Sequence, residues 1–522
     1  MKTKAAHTQH HMVFPYKSLL IGLSVGTIIY VFKILSKYAL DANTIIYQAI
    51  RENIVLLPLS IGAFLLISLI IDKVVWFEPN AGGSSISRTA LMTKHHTTSR
   101  WYSVVILTLI TTLIVFVIGV PLGIEGPSIM IGAGVSLVFM KHQKATFSED
   151  NNAMVLSGIG AGFAAATGTI FASVIFVFEE IYHKTSRVRV MHTLIASITA
   201  FITIMLYDNL FNLDTIGFFK LPILTHITVN YFYVIPMIGV VAGLSAAFFN
   251  VIVKMTNRLF ATYILHMPRY IRFFIILIII FIVGLIYDDI LGSGQYTILS
   301  PLFENQFTLR SLFIILVIKT ILIALANAAD IPGGMFVPVL VVGALYAALM
   351  NTILIYFHFP STYTLFFTLI FMAAFFASSM KAPITAFVFF SEISLSLPFT
   401  IVLAPTLGIS VLASYLLKTE SINDIVIEKN EEIKLEDNIQ YGIRVRIKGA
   451  SCAIGKNLDV IFNDDIIVHG YVKSNMPHLS LLCQPNTVID NNDILYISYN
   501  GKKDVLRKIL DRNLHDYDFV YE

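Results

Sequence analysis

Long apolar runs separated by short polar breaks occupy most of this chain, and their spacing predicts membrane-crossing helices. Ser18 to Leu35 and Ile54 to Val75 open the series, each long enough to cross a bilayer core at the helical rise. Further spans are predicted at about Met191 to Tyr207, Tyr231 to Val253, Arg272 to Tyr287, Leu312 to Ala328, Leu365 to Ser379 and Phe399 to Leu417. One run behaves differently. From Trp101 to Met140 the only formally charged residue is Glu125, set in Gly119-Val-Pro-Leu-Gly123-Ile-Glu125-Gly126-Pro127-Ser-Ile-Met-Ile-Gly132. A carboxylate in such a run is expensive unless it has a task. Gly123 and Gly126 allow a tight turn and close backbone approach, and Pro127 suits the first turn of a new helix. The pattern therefore predicts a helix broken within the membrane, which survives only where it is buried in protein or lines a polar cavity. Bare N–H groups and a positive dipole end at Gly126 and beyond would attract an anion, and Glu125 would compete with it.

The construction occurs twice. Gly334-Met335-Phe336-Val-Pro338-Val-Leu-Val-Val-Gly343-Ala matches the segment from Gly123 at a constant offset of 211 residues (Gly334 against Gly123), with identities at Gly, Pro, Gly and Ala. Downstream, Phe176-Val-Phe-Glu179-Glu180-Ile181 matches Val388-Phe-Phe-Ser391-Glu392-Ile393 at an offset of 212 (Glu392 against Glu180). Interrupted hydrophobic segments at corresponding places in two halves point to a transport site at the repeat interface. The two repeats run over about residues 18–210 and 230–421.

Other breaks are less telling by themselves. Phe77 to Arg88 contains Gly82-Gly83-Ser84-Ser85-Ile86-Ser87; its composition reads as a solvated loop with an N-cap serine, whereas its small residues also suit close approach to a polar ligand. Ala153 to Ile181 is a Gly- and Ala-rich segment whose Gly158, Gly160 and Gly162 suit close helix packing. Its terminal Glu179-Glu180, followed by His183, Lys184, Arg187 and Arg189, reads either as a solvated ion-pair face at a membrane mouth or as a proton-handling site. Leu291 to Tyr296 reads as a hinge or helix start, and Pro383 to Glu392 as an acidic helix. After Lys418 the composition turns polar. Gly442 to Lys448, Asp465 to Tyr471 and Asp493 to Tyr499 alternate as β-strands, and Lys502 to Arg512 reads as a closing helix.

Composition narrows the class. Of 522 residues, 56% are hydrophobic and 13% charged, about half the charge of a soluble domain. The fold class is an all-α polytopic membrane protein with a small soluble α+β domain at its C-terminus. A net charge of +3 without basic and aromatic interleaving gives no reason to expect a nucleic-acid partner. The two cysteines, Cys452 and Cys483, read as reduced thiols, and no metal-ligand spacing, H-E-x-x-H helix or nucleophile elbow occurs. Neither a cofactor nor an enzymatic function is expected. Lys2, Lys4 and Lys17 precede the first span without an acid, which predicts a cytoplasmic N-terminus.

These motifs resemble those of the CLC family of chloride channels and chloride/proton antiporters. Gly123-Ile-Glu125-Gly-Pro127 resembles the family's G-(R/K)-E-G-P, Gly334-Met-Phe336-Val-Pro338 its G-x-F-x-P, and Gly82-Gly83-Ser84-Ser85-Ile86-Ser87 its G-G-S-G-I-P. Glu179-Glu180 resembles the helix end that carries the inner proton glutamate. The resemblance implies a homodimer in the plasma membrane with both termini cytoplasmic, an anion pathway in each subunit, and inverted repeats. It also implies roles. Ser84 would give its hydroxyl to the central anion, Gly126, Met335 and Phe336 their backbone amides, Glu125 would gate, and Glu180 would accept the proton from within. Departures from the pattern are Ile124 in place of a basic residue, Ser85 and Ser87 in place of glycine and proline, and an absent inner tyrosine. Ser421-Ile422-Asn423-Asp424 occupies the tyrosine's region, with Asn423 as its equivalent, and so as a chloride-binding residue, or else Ile422. Loss of a phenol predicts looser coupling.

The implied organisation is a cytoplasmic segment 1–17, a transmembrane domain 18–421, a linker 422–436 and a cytoplasmic domain 437–522. Asp437 to Arg512, through Gly455-Lys-Asn-Leu-Asp and Ile489-Asp-Asn-Asn-Asp-Ile-Leu-Tyr, resembles the TrkA-C (RCK-C) regulatory module. A small ligand there, or a cap that stabilises the dimer, are the two readings of this part. For the whole chain the expected function is secondary exchange of chloride for protons through Glu125 and Glu180; the alternative is a passive voltage- or ligand-gated chloride channel. Family channels generally carry an apolar residue at the position of Glu180, which favours exchange. The serine at 84 resembles the chloride-selective motif, from which the fluoride-exporting branch departs.

Overall fold

The structure is a computed structural model that describes residues 2–95, 100–139, 149–213, 215, 232–287, 290–299, 302, 307–426, 440–447, 466–472, 480–482, 490–500, 514 and 517–519. Its contacts divide the chain into two units, Met1–Val426 and Ile427–Glu522.

The first unit is helical. Its elements are α1 (Lys2–Glu52), α2 (Leu56–Phe77), α3 (Ser85–His95), α4 (Trp101–Ile118), α5 (Glu125–Ser136), α6 (Glu149–Thr167), α7 (Phe171–Phe176), α8 (Arg187–Phe211), α9 (Val234–Tyr263), α10 (Arg269–Ile286), α11 (Leu309–Ala328), α12 (Phe336–Tyr356), α13 (Thr364–Met380), α14 (Pro383–Ser394) and α15 (Leu397–Leu416). Ten helices among the described residues are long and apolar enough to cross a membrane. The protein is a multi-pass membrane protein. Large apolar side chains such as Leu206, Phe248, Phe313 and Ile401 stand exposed on the outer faces, where lipid is their natural neighbour.

Several boundaries differ from the sequence reading. The first span does not stop at Leu35. No glycine or proline interrupts Thr27 to Leu57, so α1 runs on through Lys37 and Asp41 to Glu52. That extension is structural support for the break after α4: Asn43 Nδ2 donates to Val117 O (2.9 Å) and Tyr47 Oη to Ile118 O (2.9 Å), satisfying carbonyls that a helix end leaves free. The Gly- and Ala-rich segment from Ala153 is also broken. Gly168 adopts a left-handed φ of 72°, ending α6 before α7 starts at Phe171, and α7 passes into a π-helical turn over Val177–Tyr182.

Small residues set the packing, as their spacing predicted. α5 lies antiparallel on α6 with Gly132 against the Gly158 backbone and Gly162 against that of Ser128, close enough that a methyl group at any of the three glycines would overlap backbone atoms. α13, buried from Phe366 to Met380, fills the centre of the second half.

The second unit contains a five-stranded antiparallel sheet in the order β3-β2-β4-β1-β5, from β1 (Gln440–Ile447), β2 (Ile466–Val472), β3 (Ser480–Leu482), β4 (Ile494–Asn500) and β5 (Tyr517–Phe519). The three expected strands correspond to β1, β2 and β4. Gly455–Asp459 and the expected closing helix Lys502–Arg512 lie outside the described residues.

Candidate functional site

Three loops from distant parts of the sequence are hydrogen-bonded into one knot. Gly83 N donates to Asp330 O (2.9 Å) and Gly333 N to Gly83 O (3.3 Å); Gly123 and Gly334 exchange a reciprocal pair of backbone bonds at 2.8 and 3.0 Å. Ser84 bridges Gly333 in parallel and Gly123 bridges Gly334 antiparallel, so the Gly333-Gly334 step lies between the other two loops. Gly126 completes the closure: a side chain there would meet Gly334 Cα at 2.7 Å. Arg88 in α3 reaches across to Asp330 (Nη2 to Oδ2, 2.6 Å), fixing the first loop to the third. The knot is the starting point of α3, α5 and α12, and three positive helix ends therefore begin within bonded contact of one another. Ala81 to Ala90 is buried throughout. The solvated-loop reading of this stretch is thus corrected: its glycines serve burial against the Asp330–Gly334 loop.

Glu125 is the first residue of α5 and is fully buried, and neither carboxylate oxygen has a regular hydrogen-bond partner among the described residues. The carboxylate leans over Gly123, where any side chain would overlap Oε2, and the amides of Glu125 itself and of Val337 face it less ideally. It therefore lies between the starts of its own helix and of α12. The hydroxyl oxygens of Ser84 and Ser128 are likewise buried without a partner. Met335 and Phe336 are buried at the start of α12; the Phe336 ring packs against Phe163 (5.0 Å), Phe376 (4.9 Å) and Phe389 (5.3 Å), which holds that start rigidly. A group of polar atoms that the protein itself leaves unpaired, at converging helix starts, is chemically suited to an anion without a full countercharge.

A second arrangement lies beyond α5 in sequence. Glu179 accepts from Ile384 N (3.0 Å), Thr385 N (2.6 Å) and Thr385 Oγ1 (2.7 Å) at the start of α14. Glu392, at the end of α14, accepts from Ile170 N (2.5 Å), Phe171 N (3.3 Å) and Ala172 N (3.0 Å) at the start of α7. Each half thus closes a helix start of the other half with a fixed carboxylate. This corrects the register read from the sequence: the structural partner of Glu392 is Glu179, one residue before Glu180, because Glu179 performs the equivalent capping. Glu180 is left without an acidic counterpart. It is buried, and Asn423 Nδ2 donates to its Oε2. Asn423 stands in a helical turn over residues 422–426, buried together with Ile422 in the first unit. Replacing Glu392 by alanine removes a charged acceptor from three amides and is expected to cost about 3 kcal/mol, read as a lower melting midpoint of the detergent-solubilised protein.

Two groups were not singled out from the sequence. Lys319, alone in the apolar run of α11, is fully buried and donates to Ile290 O (2.7 Å) and Gly292 O (2.5 Å), while Gly292 N donates to Gly119 O (2.8 Å). It thereby supports the end of α4, and a lone cation in an apolar run was the available signal. Lys33 in α1 is the other.

Fold and site together define a multi-pass membrane protein whose two related halves present broken helices to one another. Residues 61–417 match the family described as voltage gated chloride channel, and the chain belongs to that family. Among curated relatives, the H(+)/Cl(-) exchange transporter ClcA of Yersinia pestis is 24% identical over 327 residues, 61% of this chain and 66% of the relative, so the chain spans just under two thirds of that protein. The Salmonella arizonae protein of the same name is 24% identical over 354 residues, 65% of this chain and 72% of the relative. Among solved structures, a slow cyanobacterial Cl-/H+ antiporter superposes with a TM-score of 0.70 at 19% identity, covering 80% of this chain and 97% of that one. A CLC-type fluoride/proton antiporter gives 0.62 at 18% identity, covering 79% and 97%.

Proposed function

We infer that this protein exchanges chloride for protons across the plasma membrane. The observation that carries the reading is the Glu125 carboxylate: buried, unpartnered, and seated where an anion would be drawn by the starts of α5 and α12. In this reading chloride binds beside the Ser84 hydroxyl and the amides of Gly126, Met335 and Phe336. Its arrival displaces Glu125, which then takes a proton. Glu180, steadied by Asn423, relays that proton to the cytoplasmic side. The names of the relatives, exchange transporters and antiporters, support the same reaction. The protein works as a homodimer with both termini cytoplasmic, and its C-terminal unit, a TrkA-C-like module, takes a small ligand that biases transport.

The test is proton movement in liposomes holding purified protein under an imposed chloride gradient, with potassium and valinomycin clamping the voltage to zero. Protons driven against their own gradient are expected. Chloride flux without proton movement would make the protein a passive channel of the same architecture.

A further inference from the structure

The field that Glu125 experiences has a second source besides helix ends. Lys33, in the middle of α1, donates from Nζ to Ala165 O (3.1 Å) and to Thr215 O (2.5 Å). Thr215 is in turn held by Asp208, whose Oδ2 accepts from its amide and whose Oδ1 from its hydroxyl, both at 2.8 Å. The helix register places this ammonium. Gly132 faces Gly158 and Gly162 faces Ser128, and one further turn of the same antiparallel register sets Ala165 opposite Glu125. Lys33 therefore stands level with residue 125 on α5, and its ammonium attracts Asp208 first and the Glu125 carboxylate second. The residue as a whole is half-buried, while its ammonium is withdrawn from water. The residue before Glu125 cannot do this work, since Ile124 is apolar and packs, as do Ile28 and Ile34 of α1, against the cluster that includes Ile21, Val25 and Ile29.

Tyr30, one turn before Lys33, fixes this corner. Its hydroxyl donates to Tyr207 O (3.3 Å), and its ring packs on those of Tyr207 (5.1 Å) and Phe211 (6.1 Å). The ammonium is thus held by rigid neighbours on one side, with two carbonyls as hydrogen-bond partners and one donor hydrogen unassigned to them.

We propose that Lys33 is an anion-docking residue of the transport pathway, receiving chloride beside Glu125 at the start of α5. The second observation that points to a ligand is independent of Lys33: the carboxylate oxygens of Glu125 are wholly buried and lack partners of their own. Chloride exchanging with the carboxylate would pass from Lys33 to the amides at the helix starts. The inference rests on the anion-transport reading, but not on proton coupling.

The experiment compares wild type, Lys33→Met and Lys33→Arg in liposomes, measuring chloride flux against chloride concentration at constant ionic strength. Lys33→Met is expected to raise the half-saturating chloride concentration by roughly fivefold, the scale of one unit charge acting across several ångströms in a partly hydrated site. Its maximal rate per folded dimer should change little, and Lys33→Arg should restore the half-saturating concentration. A role confined to holding the end of α6 would instead lower the melting midpoint and the amount of active protein, with the half-saturating concentration unmoved. That result overturns the proposal. If Lys33→Met does not fold, Lys33→Gln carries the same test, because it loses the charge while keeping a donor for Ala165 O. Because the readout is chloride flux, a passive channel would return the same Lys33 result, whereas failure of the exchange reading shows only in wild-type proton movement.

Discussion

Replacing Glu125 by glutamine is expected to abolish proton movement while chloride still flows. The carboxylate has a charge and the ability to take a proton, and the amide keeps the size of the side chain but neither property. A neutral group at the start of α5 no longer competes with an anion for the amides of α5 and α12, so chloride flux should stay within about threefold of wild type, or rise. Proton movement should fall to that of protein-free liposomes. The measurement is simultaneous recording of chloride efflux and external pH from one liposome preparation. Continued proton movement in Glu125→Gln would remove Glu125 from the proton route. Loss of both fluxes would make the side chain a structural necessity of the knot around Gly123 and Gly334 instead.

Much of this site was legible in the sequence because membranes make polar features costly. A lone acid within forty residues that carry no other charge, and glycines beside prolines in the middle of spans, have few explanations in a bilayer, and the recurrence of the Gly and Pro pattern in the second half pointed to a transport site at the repeat interface. What stayed hidden needed the third dimension. The stretch from Gly82 to Ser87 has the composition of a surface turn, and only its bonds to Asp330 and Gly333 reveal that it is buried. The adjacent acids Glu179 and Glu180 can be aligned with Glu392 in either register when apolar residues surround both, so the reciprocal caps could be assigned only from their amide partners. The continuation of α1 past Leu35 was masked by Lys37 and Asp41, although the absence of any breaker before Pro58 was there to be read.

The caps also explain which helix starts are open to a mobile anion. Five broken-helix starts matter here. Those of α7 and α14 are closed by the fixed carboxylates of Glu392 and Glu179, so their dipoles are spent on the protein itself. Those of α3 and α12 carry no such cap, and that of α5 carries Glu125, whose oxygens are unbonded. Under the proposed anion transport, the ends that the protein leaves uncapped are where chloride would bind.

Glu179 and Glu180 should consequently separate by experiment, although they are neighbours. Glu180→Gln is expected to reduce proton movement by at least about tenfold, since the group can no longer ionise, and to leave chloride flux and melting midpoint near wild type. The fold has no reason to suffer, because the carbonyl oxygen of the new amide still accepts from Asn423. Glu179→Gln should show the reverse. Its two-oxygen grip on Ile384 N, Thr385 N and the Thr385 hydroxyl is replaced by a neutral group with one acceptor, at a cost of about 2 kcal/mol in stability, while the proton-to-chloride ratio of the protein that folds stays the same. Asn423→Ala completes the set: without its donor the Glu180 carboxylate loses its side-chain partner among the described residues, and proton movement should slow without chloride flux stopping. Unchanged proton movement in Glu180→Gln would end the relay assigned to it. The inner proton route would then have to be sought among other groups, and the burial of Glu180 against Asn423 would stand as packing between the π-helical turn and residues 422–426.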